Sequence, residues 1–433
     1  MEKYILLTKE HIEENLDKPV TIKGWVLNFR SSGKIWFLQC RDGHGFIQAV
    51  VSKSDVSERT WEDCQRITPE TSAELSGVIR KDERSPYGYE MQVSDLKVIH
   101  VADEYPIAKK EHGADFLLDN RHLWLRSPRQ RVIQKIRHTV IEATCEFLDN
   151  NYFTRIDAPI LTPSACEGTT TLFEIDYFGQ SAYLSQSGQL YLEAAIFSFG
   201  RCYDFGPVFR AEKSKTRRHL IEFWMMDAEM AFVEHEENLV TQERLIARII
   251  EKVLDKNKEE LKVLGRDTSV LEKIKPPFVR KSYLEAIKEL RELGSDINGG
   301  DDLGAGDETI LTKRYDQPIF VEKFPSEIKA FYMKREHGNE NFVLCSDLLA
   351  PEGYGEIIGG SQREEDYETL LKRIKEQNLP LENFQWYLDL RKYGSVPHSG
   401  FGYGLERLVA WICGLKHVRT SIPFPRLLNR IRP

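Results

Sequence analysis

The first hundred residues are divided into short runs in which apolar and polar positions alternate. Runs of this length that are rich in β-branched and aromatic residues predict β-strands. Five such runs lie at residues 20–30, 34–41, 45–51, 73–80 and 89–100, and a short helical pattern at residues 58–66 separates the third from the fourth. Five strands with a helix after the third is the order of an OB-fold barrel. Residues 1–101 are therefore predicted to form this barrel, with another small β-barrel as the alternative.

The rest of the chain mixes helical and strand-like patterns in an order that does not repeat. Residues 102–121 show no period and are predicted to be a linker, whereas residues 129–150 repeat apolar positions at helical spacing. Strand-like segments follow at residues 172–177, 182–184, 201–209, 223–232, 318–323 and 342–349, and residues 235–265 are again helical. Because this order differs from a regular βαβ alternation, residues 122–433 are predicted to form an α+β domain around a mostly antiparallel sheet.

Composition limits the class of protein. A chain of 433 residues is long enough for two or three domains, and 41% hydrophobic with 30% charged residues predicts a globular chain. No apolar run reaches the roughly 18 residues that a membrane span requires. The seven cysteines are scattered without a CxxC pair. The sequence therefore predicts a cytoplasmic protein with reduced thiols, no zinc site and no membrane partner.

The charge of the chain leaves nucleic-acid binding open. The formal net charge is −8, whereas nucleic-acid-binding proteins usually carry a basic surface. A large enzyme needs positive charge only on the face that touches the nucleic acid. Residues 213–219, with the sequence KSKTRRH, form one such local cluster.

Glycine-rich segments do not supply a standard phosphate-binding loop. The chain lacks the GxxxxGK[ST] pattern of a P-loop. Residues 400–405 (GFGYGL) are similar to a dinucleotide fingerprint, but Leu405 stands where the third glycine would be needed. A nucleotide would therefore have to be bound by other groups.

Arginine and aromatic side chains near residue 210 are suited to that task. Activation of a carboxylate by ATP requires neutralisation of the α-phosphate, for which the planar fork of Arg210 is suited. Arg218 and His219 are expected to hold the leaving pyrophosphate. Phe223 offers a face for adenine, and Arg407 is expected to stack on the opposite face and to reach the terminal phosphate. A solvated basic loop between two strands is the alternative for this segment taken alone.

Three segments resemble the motifs of the class II aminoacyl-tRNA synthetases, and specifically of the aspartate/asparagine subgroup. Residues 156–161 (IDAPIL) look like motif 1, residues 209–223 look like motif 2, and residues 402–407 (GYGLER) look like motif 3. The resemblance covers nearly the whole chain. It implies an N-terminal five-stranded OB-fold barrel that binds the anticodon, a catalytic domain with an antiparallel sheet flanked by helices, and a homodimer built on motif 1.

The resemblance also implies which residues bind ATP and Mg²⁺. Arg210, Glu356 and Arg407 are expected to be catalytic. Asp347 and Glu356 are expected to hold Mg²⁺ against the phosphates, because phosphate-bound magnesium usually takes one or two carboxylates. The residues expected to contact ATP are Arg210, Glu212, Arg218, His219, Leu220, Phe223, Glu356, Gly404, Leu405, Glu406 and Arg407.

Charge complementarity favours asparagine over aspartate as the amino acid. Aspartyl enzymes resemble one another in a segment QSPQLxKQ, whose lysine neutralises the side chain of the substrate. Here residues 186–193 read QSGQLYLE, so Leu192 stands in place of that lysine. Loss of a cation leaves a buried aspartate under-compensated, whereas a neutral amide tolerates it. The Gly188 form of this segment and residues 349–360 also look like asparaginyl enzymes.

The same resemblance assigns the amino-acid pocket and the anticodon surface. Arg363 is expected to donate to the amide oxygen of asparagine, and Asp227 to accept from its nitrogen, a place where asparaginyl enzymes usually have glutamate. Glu167 is expected to meet the substrate ammonium, with Ser185 and Gln189 in the same pocket. On the barrel, the residues expected to contact the tRNA anticodon are Arg30, Phe37 and Gln48.

With this resemblance, the sequence predicts an ATP-dependent ligase that joins L-asparagine to tRNA(Asn) through an asparaginyl-adenylate. Three alternatives stay open. Asp227 keeps an aspartyl or a non-discriminating enzyme in consideration. A paralogue that forms free asparagine without tRNA is disfavoured by the barrel. A non-catalytic RNA-binding regulator is disfavoured by Arg210, Glu356 and Arg407.

Overall fold

A computed structural model of the chain describes residues 3–163, 166, 172–214 and 216–433. The chain divides into two compact units, Met1–Gly113 and Ala114–Pro433. The division lies inside the segment predicted to be a linker, and the second unit begins with the helix Ala114–Asp119. None of the described helices is both long enough and apolar enough to cross a membrane.

The first unit is built around a closed β-barrel. Its elements in chain order are β1 (Lys3–Tyr4), α1 (Lys9–Glu14), β2 (Pro19–Ser32), β3 (Ile35–Arg41), β4 (Phe46–Ser52), α2 (Glu58–Gln65), β5 (Ser72–Lys81) and β6 (Tyr89–His100). The pairs β2–β3, β3–β4 and β5–β6 are antiparallel, and β4 pairs with β6 in parallel. The pairing of β2 with β5 closes the barrel. The predicted OB-fold is confirmed, with α2 between its third and fourth barrel strands.

Alternation along the strands builds the core of the barrel. In β5 every second residue from Ala73 to Ile79 is buried, as expected for a strand with one face on a core. Helix α2 begins after Ser57, whose side chain accepts a hydrogen bond from Thr60 N. The Thr60 hydroxyl donates to Asp95 on β6 at 2.7 Å, which ties the helix to the barrel.

The second unit combines helices with a large sheet. Its helices are α3 (Ala114–Asp119), α4 (Arg121–Trp124), α5 (Pro128–Asn150), α6 (Gln189–Phe199), α7 (His235–Lys256), α8 (Lys258–Leu264), α9 (Ser269–Glu272), α10 (Tyr283–Glu292), α11 (Ala305–Thr312), α12 (Tyr367–Glu376), α13 (Leu381–Asp389) and α14 (Leu405–Ile412). Its strands are β7 (Thr154–Arg155), β8 (Leu161–Thr162), β9 (Glu174–Tyr177), β10 (Gln180–Leu184), β11 (Arg201–Phe209), β12 (Glu222–Ala231), β13 (Val279–Ser282), β14 (Ile319–Glu322), β15 (Arg335–Glu336), β16 (Asn339–Val343), β17 (Cys345–Ala350), β18 (Gly355–Gln362) and β19 (His398–Gly404).

The large sheet carries the candidate site. Within the described residues its strand order is β13-β14-β17-β18-β19-β12-β11-β7. Neighbouring strands from β14 to β11 in this order are antiparallel. At the two edges of the sheet, β13 is parallel to β14 and β7 is parallel to β11. The predicted α+β domain with a mostly antiparallel sheet is confirmed. The helix predicted at residues 129–150 corresponds to α5, and the pattern at residues 235–265 contains α7 and α8.

Strand β12 separates the core from the site. Met226, Ala228 and Met230 are fully buried and belong to the hydrophobic cluster that α5 and α7 share with the sheet. Met225 and Asp227 instead line open cavities. Because successive side chains of a strand point to opposite faces, one strand presents apolar residues to the core and site residues to the other side.

Glycines in β19 leave room for acidic side chains of β12. Glu229 is paired in register with Gly400, and Asp227 with Gly402. A Cβ atom on Gly400 would lie 2.0 Å from Glu229 Oε1, and one on Gly402 would lie 2.4 Å from Asp227 Oδ1. The glycine run that is similar to a nucleotide fingerprint is therefore a strand whose alternate residues make space for two carboxylates.

Candidate active site

A cavity of the second unit lies between β12, β18 and the junction of β19 with α14. Most of the residues expected to contact ATP line this cavity, namely Arg210, Glu212, Arg218, His219, Leu220, Phe223, Glu356, Gly404, Glu406 and Arg407. Leu405 does not line it, because its side chain is fully buried and packs in the hydrophobic core. The end of the β11–β12 hairpin and the β19–α14 junction thus bring motifs 2 and 3 together, as the sequence predicted.

Arg210 and Phe223 face each other at the open end of the hairpin. Arg210 N donates to Ile221 O at 2.9 Å, which continues the hairpin beyond the strands. The guanidinium carbon of Arg210 lies 5.5 Å from the centre of the Phe223 ring, a distance at which a cation and an aromatic face attract. A Cβ atom on Gly404 would lie 3.7 Å from this ring, so the glycine backbone is close to it. The ring therefore orients the guanidinium of Arg210. Together with the backbone of Gly404, it forms a flat part of the cavity wall.

Arg407 and Glu356 form an ion pair in this cavity. Arg407 Nη1 donates to Glu356 Oε2 at 2.9 Å and to the backbone oxygen of Glu356 at 3.2 Å. Against the effect of burial, Arg407 lowers the pKa of the Glu356 carboxyl, so this group is ionised. The two side chains keep 28% and 36% of their surface exposed. Both charges are therefore accessible to a ligand.

Arg218 is held by a residue that the sequence patterns did not single out. Arg218 Nη1 donates to Glu308 Oε2 at 2.7 Å, and Arg218 Nη2 donates to Gly353 O at 2.8 Å. The same Glu308 oxygen accepts from Glu356 N at 2.9 Å. Burial and the neighbouring charge of Glu356 raise the pKa of the Glu308 carboxyl. Glu308 thus connects the arginine of the motif 2 loop with the acid on β18.

His219 is oriented by Glu212 at the edge of the cavity. Glu212 Oε2 lies 3.2 Å from His219 Nε2, and the other ring nitrogen lies 3.2 Å from Ser214 Oγ. The contact with His219 lowers the pKa of the Glu212 carboxyl. About a third of each side chain in this pair is exposed, so His219 can reach a ligand in the cavity.

Glu406 has a structural role beside the cavity. Its Oε1 atom lies 2.6 Å from Arg137 Nη1 on α5, and its Oε2 atom accepts from Trp224 N at 3.1 Å. Burial raises the pKa of Glu406, and Arg137 opposes that shift. The residue ties the start of α14 to both β12 and α5, although its edge faces the cavity.

A second cavity, of about 490 Å³, continues from the first. The residues that line both cavities are Arg210, Met225, Glu356 and Gly402. Three of the residues expected to bind the amino acid line the second cavity, namely Gln189, Asp227 and Arg363. The two predicted subsites are therefore adjacent, and Arg210 lies where they meet.

Arg363 enters the second cavity as part of a buried ion pair. Its Nη2 and Nε atoms donate to the two carboxylate oxygens of Glu229 at 2.5 and 3.2 Å, and its Nη1 donates to Ser361 Oγ at 2.6 Å. Burial raises the pKa of Glu229 to about 8, although Arg363 opposes the shift. The pair fixes the plane of the guanidinium, and Glu229 offsets its charge to the extent that the carboxyl is ionised. The sequence analysis did not identify Glu229.

Asp227 is held by the loop that precedes α6. Its Oδ2 atom accepts from Ser187 Oγ at 3.0 Å and from Gly188 N at 2.8 Å. Its Oδ1 atom points toward the space above Gly402. The carboxylate is therefore fixed on one oxygen at the wall of the second cavity.

Asp347 and Glu356 approach each other at Gly359. A Cβ atom on Gly359 would lie 3.3 Å from Glu356 Oε1 and 4.0 Å from Asp347 Oδ1. Carboxylate oxygens are the donors that Mg²⁺ prefers, so this pair fits the predicted metal site. Lys329, which the sequence patterns did not single out, donates to Asp347 Oδ2 at 3.1 Å and lies 3.3 Å from Asp302 Oδ1. Burial raises the pKa of Asp347 to about 7, and Lys329 opposes the shift.

Residues 186–193 contribute to the second cavity differently from the sequence interpretation. Gln189 lines the cavity, and Glu193, one helical turn further on, accepts from Gln189 Nε2 at 3.1 Å. Leu192 is fully buried in an apolar cluster with Ile196 and Cys202, so it does not line the pocket. Leu192 therefore adds no group to the pocket wall, and the absence of a lysine at this position stays a prediction from the sequence.

Ser185, which is also expected in the amino-acid pocket, does not line the second cavity. Ser185 is buried, its hydroxyl donates to Ser187 O at 2.9 Å, and it lines a separate cavity near Ile160. Glu167 lies outside the described residues.

On the barrel, Arg30 and Phe37 are cross-strand neighbours. They are paired in register between β2 and β3, and the guanidinium carbon of Arg30 lies 4.4 Å from the centre of the Phe37 ring. Gln48 on β4 is 8% exposed, and its Nε2 donates to Glu90 Oε2 at 3.0 Å. Arg30 and Phe37 therefore form a basic aromatic surface, while Gln48 already has a protein partner.

Known families match both units. Residues 113–428 match the family described as tRNA synthetases class II (D, K and N), and residues 20–99 match the OB-fold nucleic acid binding domain. The chain belongs to the class II tRNA synthetases of the D, K and N group. The predicted enzyme class, an aminoacyl-tRNA synthetase, is confirmed.

Two asparagine–tRNA ligases and one solved structure are similar to this chain over nearly its whole length. The chain is 53% identical over 423 residues to the asparagine–tRNA ligase of Desulforamulus reducens, with 98% of each chain covered. It is 53% identical over 433 residues to the asparagine–tRNA ligase of Pelotomaculum thermopropionicum, with 100% of each chain covered. Among solved structures it is similar to the asparaginyl-tRNA synthetase from Pyrococcus horikoshii complexed with asparaginyl-adenylate. That likeness has a TM-score of 0.96 at 45% identity and covers 99% of this chain and 100% of the other.

Proposed function

We propose that the chain is an asparagine–tRNA ligase that activates L-asparagine with ATP and transfers it to the 3′ end of tRNA(Asn). The observation that carries this proposal is the junction of the two cavities at Arg210. The α-phosphate of ATP and the carboxylate of the amino acid would meet at this point. Full-length relatives with 53% identity are named for the same reaction.

The first step joins the amino acid to AMP. A carboxylate oxygen of asparagine attacks the α-phosphorus, the bond from that phosphorus to the bridging oxygen breaks, and pyrophosphate leaves. Arg210 neutralises both reacting anions, which lowers the repulsion between them. Because no group of the enzyme forms a covalent bond, positioning and charge stabilisation supply the acceleration.

Arg407 and His219 are assigned to the leaving pyrophosphate. Arg407 is partly exposed and can exchange its contact with Glu356 for a phosphate oxygen. His219 is oriented by Glu212 at the cavity edge. Arg218 is assigned to the same anion, but Glu308 and Gly353 already engage it, so its main contribution is to anchor the motif 2 loop.

Arg363 and Asp227 are assigned to the side chain of asparagine. An amide offers one acceptor and one donor group. Arg363 donates to the oxygen and Asp227 accepts from the nitrogen. When Glu229 is ionised it offsets the charge of Arg363, and the pocket then lacks the surplus positive charge that would compensate the carboxylate of aspartate. Gln189 is assigned to the same pocket, whereas Ser185 lies outside it and supports its wall through Ser187.

Asp347 and Glu356 are assigned to Mg²⁺. When bound, the ion would neutralise phosphate oxygens of ATP. Lys329 supplies a fixed positive charge next to Asp347, so the wall of this cavity keeps a cation beside the acids.

The second step moves the asparaginyl group to a ribose hydroxyl of the terminal tRNA nucleotide, and AMP leaves. In the barrel unit, Arg30 and Phe37 are assigned to anticodon bases, which stack on aromatic and guanidinium planes. Gln48 is assigned to a hydrogen bond with an anticodon base, for which it would exchange its contact with Glu90.

The enzyme is proposed to be a cytoplasmic homodimer. Ile160, Leu161, Tyr177 and Phe178 expose apolar side chains on or beside the small sheet β8-β10-β9, next to motif 1. An exposed apolar patch of this kind is typical of an interface between chains. All seven cysteines are free thiols, as suits a reducing compartment. Light scattering should give about twice the 50.3 kDa mass of one chain, and the mass of a single chain would contradict the dimer.

ATP–pyrophosphate exchange tests the proposed first step. Exchange should depend on L-asparagine and should be weak with L-aspartate. Arg210→Ala should abolish exchange while thermal unfolding is unchanged, and Arg248→Ala, which removes a surface arginine of α7, is the matched control. Aspartate-dependent exchange by the unaltered enzyme would contradict the proposed substrate, and exchange retained in Arg210→Ala would contradict the role of that residue.

A further inference from the structure

A buried ionic cluster lies behind the amino-acid pocket and is not used by the reaction steps above. Glu193 on α6 has no exposed surface. Its Oε2 atom accepts from Tyr387 OH at 2.7 Å and from Arg391 Nη2 at 2.8 Å, and it lies 3.0 Å from His398 Nε2. Its Oε1 atom accepts from Gln189 Nε2 at 3.1 Å. These donors keep the carboxylate ionised. Burial raises the pKa of Glu193, but Arg391 and His398 lower it, and the net effect is a lowered pKa.

His398 completes the cluster. Its Nδ1 atom lies 2.8 Å from Val396 O, and its Nε2 atom lies 3.0 Å from Glu193 Oε2 and 3.5 Å from Arg391 Nη2. The ring therefore packs against both members of the buried ion pair between Glu193 and Arg391.

The cluster is connected to the residue that reads the substrate side chain. Arg363 N donates to His398 O at 2.9 Å, and Arg391 Nε donates to Glu364 O at 2.9 Å. Through these bonds the cluster holds the backbone on both sides of the Arg363 side chain. The charge of Glu193 also acts on Arg363 directly and raises its pKa, although burial and Glu229 have larger effects.

At the side-chain end of the pocket and in the cluster, positive charge does not exceed negative charge. The carboxylates there are Glu193, Glu229 and Asp227, and the guanidinium cations are Arg391 and Arg363. A neutral amide leaves this balance unchanged. The carboxylate of aspartate would add one uncompensated negative charge in a buried site, which is strongly unfavourable. Leu192 adds no charge to this balance, because it is apolar and lies in a separate cluster.

We infer that Glu193 and Arg391 are positioning residues for substrate choice. They set the net charge at the side-chain end of the pocket without touching the amino acid, and they thereby favour asparagine over aspartate. This inference rests on the proposed function, because it explains how an asparagine-activating enzyme excludes aspartate.

Opposite charge changes in the cluster should change substrate choice in opposite directions. Glu193→Gln removes a negative charge, so the ratio of kcat/KM for asparagine to that for aspartate in ATP–pyrophosphate exchange should fall about tenfold or more. Arg391→Gln removes a positive charge, so it should raise the ratio. The double variant with Glu193→Gln and Arg391→Gln restores the balance and should return the ratio to within about threefold of the unaltered enzyme. Exchange is measured at about pH 8.5, where Glu229, whose pKa is about 8, is mostly ionised.

Tyr387→Phe is the matched control, since it removes a hydrogen bond to Glu193 without changing the charge. It should leave the ratio unchanged even if the unfolding temperature falls. If a single charge variant does not fold, the other single variant and the double variant still give the direction of the effect. A ratio that stays constant across the charge variants would overturn the inference and leave the cluster a structural support. Preference for aspartate by the unaltered enzyme would instead contradict the proposed function, so the two failures are distinguishable.

Discussion

Glu229 on β12 occupies the space that Gly400 leaves open on the adjacent strand β19. The two residues are paired in register, and a Cβ atom on Gly400 would lie 2.0 Å from Glu229 Oε1. Glu229 in turn holds Arg363 through contacts of 2.5 and 3.2 Å. A residue without a side chain therefore determines where the guanidinium of the amino-acid pocket lies.

Gly400→Ala should lower kcat/KM for asparagine about a hundredfold, because a displacement of about 1 Å in Glu229 is passed on to Arg363. The KM for ATP should change little, since neither Gly400 nor Glu229 lines the first cavity. ATP–pyrophosphate exchange measures both quantities. Gly206→Ala on β11 is the control, because its new Cβ would meet only Asp204 Oδ1, at an ordinary 3.6 Å. Unchanged activity of Gly400→Ala would show that Glu229 does not need this space.

Discrimination against aspartate should increase with pH. The pKa of Glu229 is raised to about 8 by burial, so at lower pH a growing fraction of this carboxyl is protonated and no longer offsets Arg363. The uncompensated guanidinium then accepts the carboxylate of aspartate more readily. The ratio of kcat/KM for asparagine to that for aspartate should therefore rise between about pH 6.5 and about pH 9. Glu229→Gln should remove this rise, and a flat profile in the unaltered enzyme would count against the assignment.

Glu308→Ala should raise the KM for ATP about tenfold while the KM for asparagine changes less. Without Glu308, the largely buried guanidinium of Arg218 loses its carboxylate partner and the motif 2 loop loses an anchor. Steady-state exchange at varied ATP checks the prediction. Glu251→Ala is the control, because Glu251 also pairs with an arginine but lies exposed on α7. Equal KM values for ATP in both variants would refute the role of Glu308.

Phe37→Ala should lower kcat/KM for tRNA about ten- to a hundredfold, the range expected when one base loses its aromatic stacking partner. ATP–pyrophosphate exchange does not require tRNA, so it should remain unchanged. Tyr4→Ala is the control, since Tyr4 is also an exposed aromatic residue of the first unit with a cation, Lys23, over its ring. A parallel loss of exchange in Phe37→Ala would indicate a general folding defect.

Much of the site could be predicted from local sequence patterns. On β12 the alternation of a strand places Phe223, Met225, Asp227 and Glu229 on one face. Because Phe223 and Asp227 were assigned to the site, the same period pointed to Glu229, and this signal was available in the sequence. The strands β18 and β19 were missed because glycine is unfavourable in strands, and in β19 the glycines are needed for the side chains of β12.

Other site residues depend on contacts between distant parts of the chain. Glu308 reaches Arg218 across 90 positions, and Arg391 reaches Glu193 across 198 positions. Neither Glu308 nor Glu193 lies in a short sequence motif that indicates its partner. Helix α6 also turns Leu192 into an apolar cluster, which a linear comparison of residues 186–193 could not indicate. Such residues emerge only when the sheet order and the helix orientation are known.

The central claim is tested most directly by competition between the two amino acids in one charging reaction. The enzyme, ATP, Mg²⁺ and total tRNA are incubated with equal concentrations of L-asparagine and L-aspartate, and the aminoacyl group on the tRNA is identified by mass spectrometry. Asparagine attached to tRNA(Asn), with aspartate below a few per cent, is the expected result. Aspartate as the main aminoacyl group, or comparable amounts of both, would contradict an asparagine–tRNA ligase.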